Sequence, residues 1–221
     1  MKKYKNVIFD LDGTLIDTAP DIARCINIML QKRSVPPLDI EIIRRFIGGG
    51  TDIFIKKLYE TLKIPLTKDE LSEEVRKYTD IYRMEPAKTS KLYDMNTASI
   101  LASLINEEIK IGICTNKITE ITETILKYFK IYDFFSIIVC GDSLPVKKPD
   151  PLPLLTTMKQ MNAKTKDTLY VGDTQIDLKC CQLAKVSFIG VRWGMDKELM
   201  KKPIPFINNF RELVDIISVL K

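Results

Sequence analysis

Short apolar, β-branched runs recur along the chain at residues 7–9, 109–114, 137–140, 169–171 and 186–191, and helix-like segments follow most of them. Runs of this length bounded by polar residues predict buried strands, and their alternation with amphipathic segments predicts a doubly wound parallel sheet of the α/β class. One stretch departs from that rhythm. Between residues 18 and 83 the apolar positions follow helical spacing, at 22–30, 40–47, 53–62 and 71–82, with breaks at Pro36-Pro37, Gly48-Gly49-Gly50 and Pro65. The pattern predicts residues 1–16 and 87–221 as the α/β core and residues 17–86 as an all-helical domain inserted after the first strand. Thr67 and Glu70 have capping-box spacing at the start of one of its helices.

At 221 residues the chain is long enough for one α/β domain carrying such an insertion. Hydrophobic residues make up 45% and charged residues 29%, an ordinary balance for a globular protein, and no apolar run approaches the roughly 18 residues that would span a bilayer. Asp10 and Asp12 interrupt the first apolar run, which argues against a signal peptide. Five cysteines without regular spacing are expected to be free thiols in a reducing, cytoplasmic setting, with Cys180 and Cys181 packing inside a helix. The net charge of +5 is spread over lysines from Lys2 and Lys3 to Lys201 and Lys202, so no nucleic-acid stripe is expected. There is no histidine, which excludes histidine triads and histidine zinc sites and leaves acid/base and metal chemistry to carboxylates, lysines and thiols.

The strongest chemical signal is Phe9-Asp10-Leu11-Asp12-Gly13-Thr14-Leu15, directly after an apolar strand. Carboxylates two residues apart share one side of an extended chain, and burying both without compensation is expensive. A divalent cation bound through oxygen is the natural partner, with Gly13 allowing a tight departure and Thr14 adding a hydroxyl.

This segment resembles the first motif of the haloacid dehalogenase superfamily, DxDGT after a strand. The resemblance implies Asp10 as nucleophile and metal ligand and Asp12 as general acid/base. The superfamily's later motifs have counterparts in order: Thr115 after the 109–114 run, Lys148 in Lys147-Lys148-Pro149-Asp150-Pro151, and Asp173 and Asp177 in Gly172-Asp173-Thr174-Gln175-Ile176-Asp177. The likeness implies Mg2+ held among Asp10, Asp12, Asp173 and Asp177, with Asp177 also able to orient Lys148; Lys147 is the alternative lysine. Phosphate would be bound by Thr14, Thr115, Asn116 and Lys148, and the insertion would be a type 1 cap that sets specificity through Arg44, Arg45, Gly49 and the 48–51 turn. Cys180 and Cys181 stand where small residues are common in the superfamily, a change of packing rather than chemistry.

The whole arrangement is similar to the phosphoglycolate phosphatase branch, which implies a magnesium-dependent monoester hydrolase forming an aspartyl phosphate, acting on a small phosphorylated metabolite such as 2-phosphoglycolate, as a monomer or homodimer. Pyrophosphate, nucleotide or sugar phosphate hydrolysis and sugar phosphomutation share the same chemistry. A non-enzymatic scaffold is disfavoured because Asp10, Asp12, Lys148 and Asp173 are all present.

Overall fold

The computed structural model describes residues 4–218; the termini, with Lys2 and Lys3, lie outside the described residues. Strand β1 (Asn6–Phe9) opens the chain and is buried along its length. A two-residue strand, β2 (Ile16–Asp17), leads into helices α1 (Ala19–Lys32), α2 (Ile40–Arg44), α3 (Thr51–Thr61) and α4 (Lys68–Met84). The chain returns through β3 (Lys91–Leu92), which pairs antiparallel with β2, so the outgoing and returning segments are stitched side by side. Buried Asp21 reinforces this junction, accepting from the amides and hydroxyls of Thr89 and Ser90 at 2.6–3.2 Å. Thr67 and Glu70 form the expected capping box on α4.

After β3 the rhythm becomes α5 (Thr97–Asn106), β4 (Lys110–Cys114), α6 (Thr119–Tyr128), β5 (Ile137–Val139), α7 (Leu152–Gln160), β6 (Thr168–Gly172), α8 (Gln175–Ala184), β7 (Ser187–Val191), β8 (Phe206–Ile207) and α9 (Phe210–Ser218). The main sheet is parallel throughout, in the order β5-β4-β1-β6-β7-β8. The chain moves outward from β1 through β4 to β5 and then crosses back to β6 on the other side of β1. That reversal makes the carboxyl end of β1 the topological switch point, where open α/β sheets bind ligands.

Alternation along the strands feeds two hydrophobic layers. Val7 and Phe9 join Ile111, Ile113, Leu169 and Val171 on one face, where Phe9 meets Phe135 and Phe210 edge-on. Ile8, Cys114 and Tyr170 point to the other face and pack with Leu154, Met158, Cys180 and Cys181. A strand covered on both faces has to be apolar at consecutive positions, which is why the 7–9 run shows no alternation. All five cysteines are free and buried, and burial pushes the Cys180 thiol up to about 11 and that of Cys181 well above the ordinary thiol value. Among the described residues no helix is long and apolar enough to cross a membrane.

Candidate active site

Strand register delivers three polar residues to one point. Phe9 pairs with Ile113 of β4 and with Val171 of β6, so Asp10, Thr115 and Asp173 leave the sheet next to one another. The Asp10 amide extends the ladder one step by donating to the Val171 carbonyl at 2.9 Å. Gly13 turns the chain away with φ +84°, and a Cβ there would lie 2.1 Å from Asp173 Oδ2, so both the backbone angle and the space require glycine.

Lys148 enters from the loop between β5 and α7 and is 2% exposed. Its Nζ lies 3.0 Å from Asp10 Oδ1, 2.6 Å from Asp177 Oδ1 and 2.6 Å from the Tyr170 hydroxyl, so all three ammonium hydrogens have acceptors. Tyr170 donates onward to the Cys114 carbonyl at 2.8 Å. Asp177 Oδ2 accepts from the Thr174 hydroxyl at 2.6 Å and its amide at 3.1 Å, in a capping box that opens α8. Asp177 therefore has both oxygens occupied by protein donors.

Asp10, Asp173 and Asp177 are all buried and place carboxylate oxygens within 4.8 Å of one another. Lys148 balances one of those three charges. Burial, with repulsion from Asp177 and Asp12 overcoming the attraction of Lys148, raises Asp10 from the ordinary 3.8 to about 7. Burial and the charges of Asp177 and Asp10 push Asp173 well above the usual carboxylate range. Burial on its own would lower Lys148, but Asp10 and Asp177 outweigh it and hold the ammonium charged. A pocket of hard oxygen donors with an unmet negative charge fits Mg2+, which prefers one or two carboxylates. Asp10 and Asp173 are the side chains best able to hold it, because Asp177 is already committed.

The Asp12 carboxylate departs from the metal set expected of it. It turns away from the cluster to accept from Lys117 Nζ at 3.0 and 3.2 Å and from the Thr18 hydroxyl at 2.6 Å. An ammonium and a hydroxyl at short range satisfy it without a metal ion. It lines a hollow between the sheet end and the helical insertion, with Asp10, Thr115, Asn116 and Lys117 on the floor. Ile47, Phe54, Tyr78, Ile118 and Ile121 make an apolar wall, and Gly48, Gly50 and Thr51 form the rim. The enclosed part holds about 40 Å³ within an open hollow of about 520 Å³ that runs into solvent.

The other expected substrate residues divide. Thr14 donates to Asp173 Oδ1 at a long 3.4 Å, so it braces the acidic cluster. Thr115 accepts from the Lys117 amide at 3.2 Å, which leaves its hydroxyl hydrogen to point elsewhere. Asn116 donates to the Lys148 and Gly48 carbonyls at 2.9 Å each and accepts from the Lys148 amide at 2.9 Å, tying the lysine loop to the helical insertion. Arg45 and Gly49 line a separate cleft of about 640 Å³ beside Thr174 and Gln175, not the hollow that holds Asp10. Gly48 and Gly50 of the same turn reach that hollow instead. Arg44 grips Asp17 with two bonds of 3.0 Å, and Lys147 pairs with Asp52 on α3 at 2.6 Å, so neither ammonium nor guanidinium faces the carboxylate cluster.

Three contributions were not anticipated. Lys117 follows the Thr115-Asn116 motif and is 9% exposed, with its ammonium 4.7 Å from the Tyr82 ring centre. The 193–195 turn after β7 closes over Asp173, with the Met195 amide donating to Oδ2 at 2.8 Å and Trp193 Nε1 donating to the Thr14 carbonyl at 3.0 Å. Tyr170, placed by strand alternation on the helix-covered face, anchors Lys148. Only Tyr170 had a signal in the chain: a phenol within an otherwise aliphatic strand needs a partner.

The family model described as haloacid dehalogenase-like hydrolase matches residues 7–191. A protein from Psychrobacter arcticus named phosphoglycolate phosphatase is 32% identical over 219 residues, covering 96% of this chain and 94% of that protein. One from Cereibacter sphaeroides with the same name is 34% identical over 182 residues, covering 82% of each. A crystal structure from Haemophilus somnus, described as that of "a predicted phosphoglycolate phosphatase", superimposes with a TM-score of 0.86 at 28% identity, over 98% of this chain and 99% of that one.

Proposed function

We propose that this chain, which belongs to the haloacid dehalogenase-like hydrolases and is a phosphatase of that family, cleaves a small phosphomonoester through a phosphoaspartate on Asp10. The observation that carries the reading is the buried cluster itself: Asp10, poised at the carboxyl end of the central strand, beside Lys148 and within 4.8 Å of Asp173. The Asp10 carboxylate attacks phosphorus and the bond to the ester oxygen breaks. Asp12, across the same hollow, gives a proton to the leaving oxygen and then takes one from the water that attacks the phosphoaspartate. The Lys148 ammonium and the Thr115 hydroxyl face charge on the phosphoryl oxygens, and Asp177 and Tyr170 hold Lys148 in place. A Mg2+ held by Asp10 and Asp173 would supply the remaining positive charge.

Residues 17–86 act as the cap, bringing the rim of Gly48, Gly50 and Thr51 over the site and excluding water. The tight part of the hollow, about 40 Å³ beside Asp10 and Asp12, suits a short leaving group. With relatives named phosphoglycolate phosphatase, 2-phosphoglycolate is the substrate this reading selects. The test is phosphate release with Mg2+ from 2-phosphoglycolate, sugar phosphates, pyrophosphate and nucleotides, beside Asp10→Asn. Preference for 2-phosphoglycolate, lost in the variant and absent without a divalent cation, is expected. Turnover that survives Asp10→Asn would exclude the phosphoaspartate route.

A further inference from the structure

We infer that Lys117 is a specificity-determining residue, whose ammonium receives a carboxylate on the leaving group of the substrate. The inference rests on the phosphatase reading above and says which esters that site prefers. Among the described residues, Lys117 is the one cation lining the hollow next to Asp12; Lys148 is fully engaged by Asp10, Asp177 and Tyr170. The remaining basic candidates do not line this hollow: Arg44 pairs with Asp17, Lys147 with Asp52, and Arg45 lines the other cleft, whereas Lys117 lines it while paired with Asp12.

The surroundings favour an anion over a neutral group at that spot. Most of the wall is aliphatic or aromatic, so a leaving-group hydroxyl would meet few partners, whereas a carboxylate meets a buried ammonium in a weakly screened setting. Opposite lies the start of α3, whose Gly50 and Thr51 form the rim without placing a carboxylate in the hollow. Asp12 retains its bond from Thr18 when the lysine turns to a ligand, so its oxygens stay oriented. The Lys117 ammonium also lies over the Tyr82 ring, a contact that favours its charged form at this spot.

The experiment compares kcat/KM for two matched pairs that differ by a carboxylate against a hydroxymethyl group: 2-phosphoglycolate with ethylene glycol monophosphate, and 3-phosphoglycerate with glycerol 3-phosphate. Wild type, Lys117→Met and Lys117→Arg are assayed with Mg2+. The within-pair ratio cancels any change in the fraction of folded enzyme and any general effect on Asp12. Wild type should favour the acid in each pair, and Lys117→Met should shrink that ratio by about 10- to 100-fold, the size of one lost charge-assisted hydrogen bond, with Lys117→Arg recovering part of it. Equal losses on both members of a pair, or a wild-type ratio near one, would overturn the inference and leave the phosphatase reading intact. A wild-type enzyme inert on all four esters would overturn both.

Discussion

Replacing Asp10 with asparagine should stabilise the metal-free protein at neutral pH, even though it removes the proposed nucleophile. Asp10 is held at about 7 against an ordinary 3.8, chiefly by burial, with repulsion from Asp177 and Asp12 added and the attraction of Lys148 opposing them. A carboxyl raised in the folded state costs nothing below its unfolded value, where it is protonated in both states. The cost develops as pH climbs from about 4 to 7 and is complete above that window. The distance from 3.8 to about 7 corresponds to roughly 4 kcal/mol, an upper bound because Asp173 shares the strain. At roughly 2–4 °C per kcal/mol for a chain of this size, Asp10→Asn should melt up to about 16 °C above wild type at pH 8 in chelator, and level with it near pH 4. Saturating Mg2+ should restore wild type and help the variant much less, since one of its two best ligand carboxylates is gone. Thermal denaturation from pH 4 to 8, with EDTA and with Mg2+, reads all of this. A difference between the two proteins that is flat with pH, or equal stabilisation of both by Mg2+, would refute the view that this cluster is built around a missing positive charge.

Two further substitutions separate support from chemistry. Asp177→Asn breaks the buried bond to Lys148 and weakens the cap on α8, so urea denaturation should show a loss of about 3–5 kcal/mol, with kcat falling as Lys148 loses its anchor. Undiminished stability would mean that Tyr170 and Asp10 suffice to hold the lysine. Asn116→Ala removes three bonds that join the Lys148 main chain to Gly48; steady-state kinetics should show kcat reduced by about 10- to 100-fold from misplacement of the lysine, with KM raised as the cap rim loosens. A change in KM alone would assign Asn116 to the cap and not to Lys148.

The sheet was legible because its strands are short, apolar and buried on both faces. The expected 109–114 and 169–171 runs correspond to β4 and β6 within a residue or two, and the four helical segments of the insertion to α1–α4. The pairs that carry no periodic signal were not legible. β2 and β3 have two residues each, too few to show alternation, and β8 follows Pro203 and Pro205 in a segment that reads as loop. Their pairing is decided by what lies beside them: β8 by the open edge of β7, and the β2–β3 ladder by the need to bring both connections to the insertion together.

Residues of the site followed the same division. Asp10, Thr115 and Asp173 stand out because each ends an apolar run at a strand terminus, and Lys148 because it precedes a proline-rich turn into a helix. Lys117 does not stand out, since a lysine three residues past a strand is ordinarily solvated surface; its meaning depends on α4 bringing Tyr82 over it and on Asp12 facing it from the coil after β1. The same tertiary dependence reverses the expectation for Asp12. Spacing of two along an extended chain would put both carboxylates on one side, but the chain leaves the strand at Asp10 and coils at once, with the amides of Thr14, Leu15 and Ile16 all donating to the Leu11 carbonyl. That coil sends the Asp12 carboxylate toward Thr18 and Lys117 and leaves Asp10 with Asp173. The separation has a chemical consequence. The group that exchanges protons with the leaving oxygen faces the Lys117 ammonium, while the group that takes the phosphoryl is packed against the buried Lys148, so the two carboxylates of a single motif are set in different surroundings for different tasks.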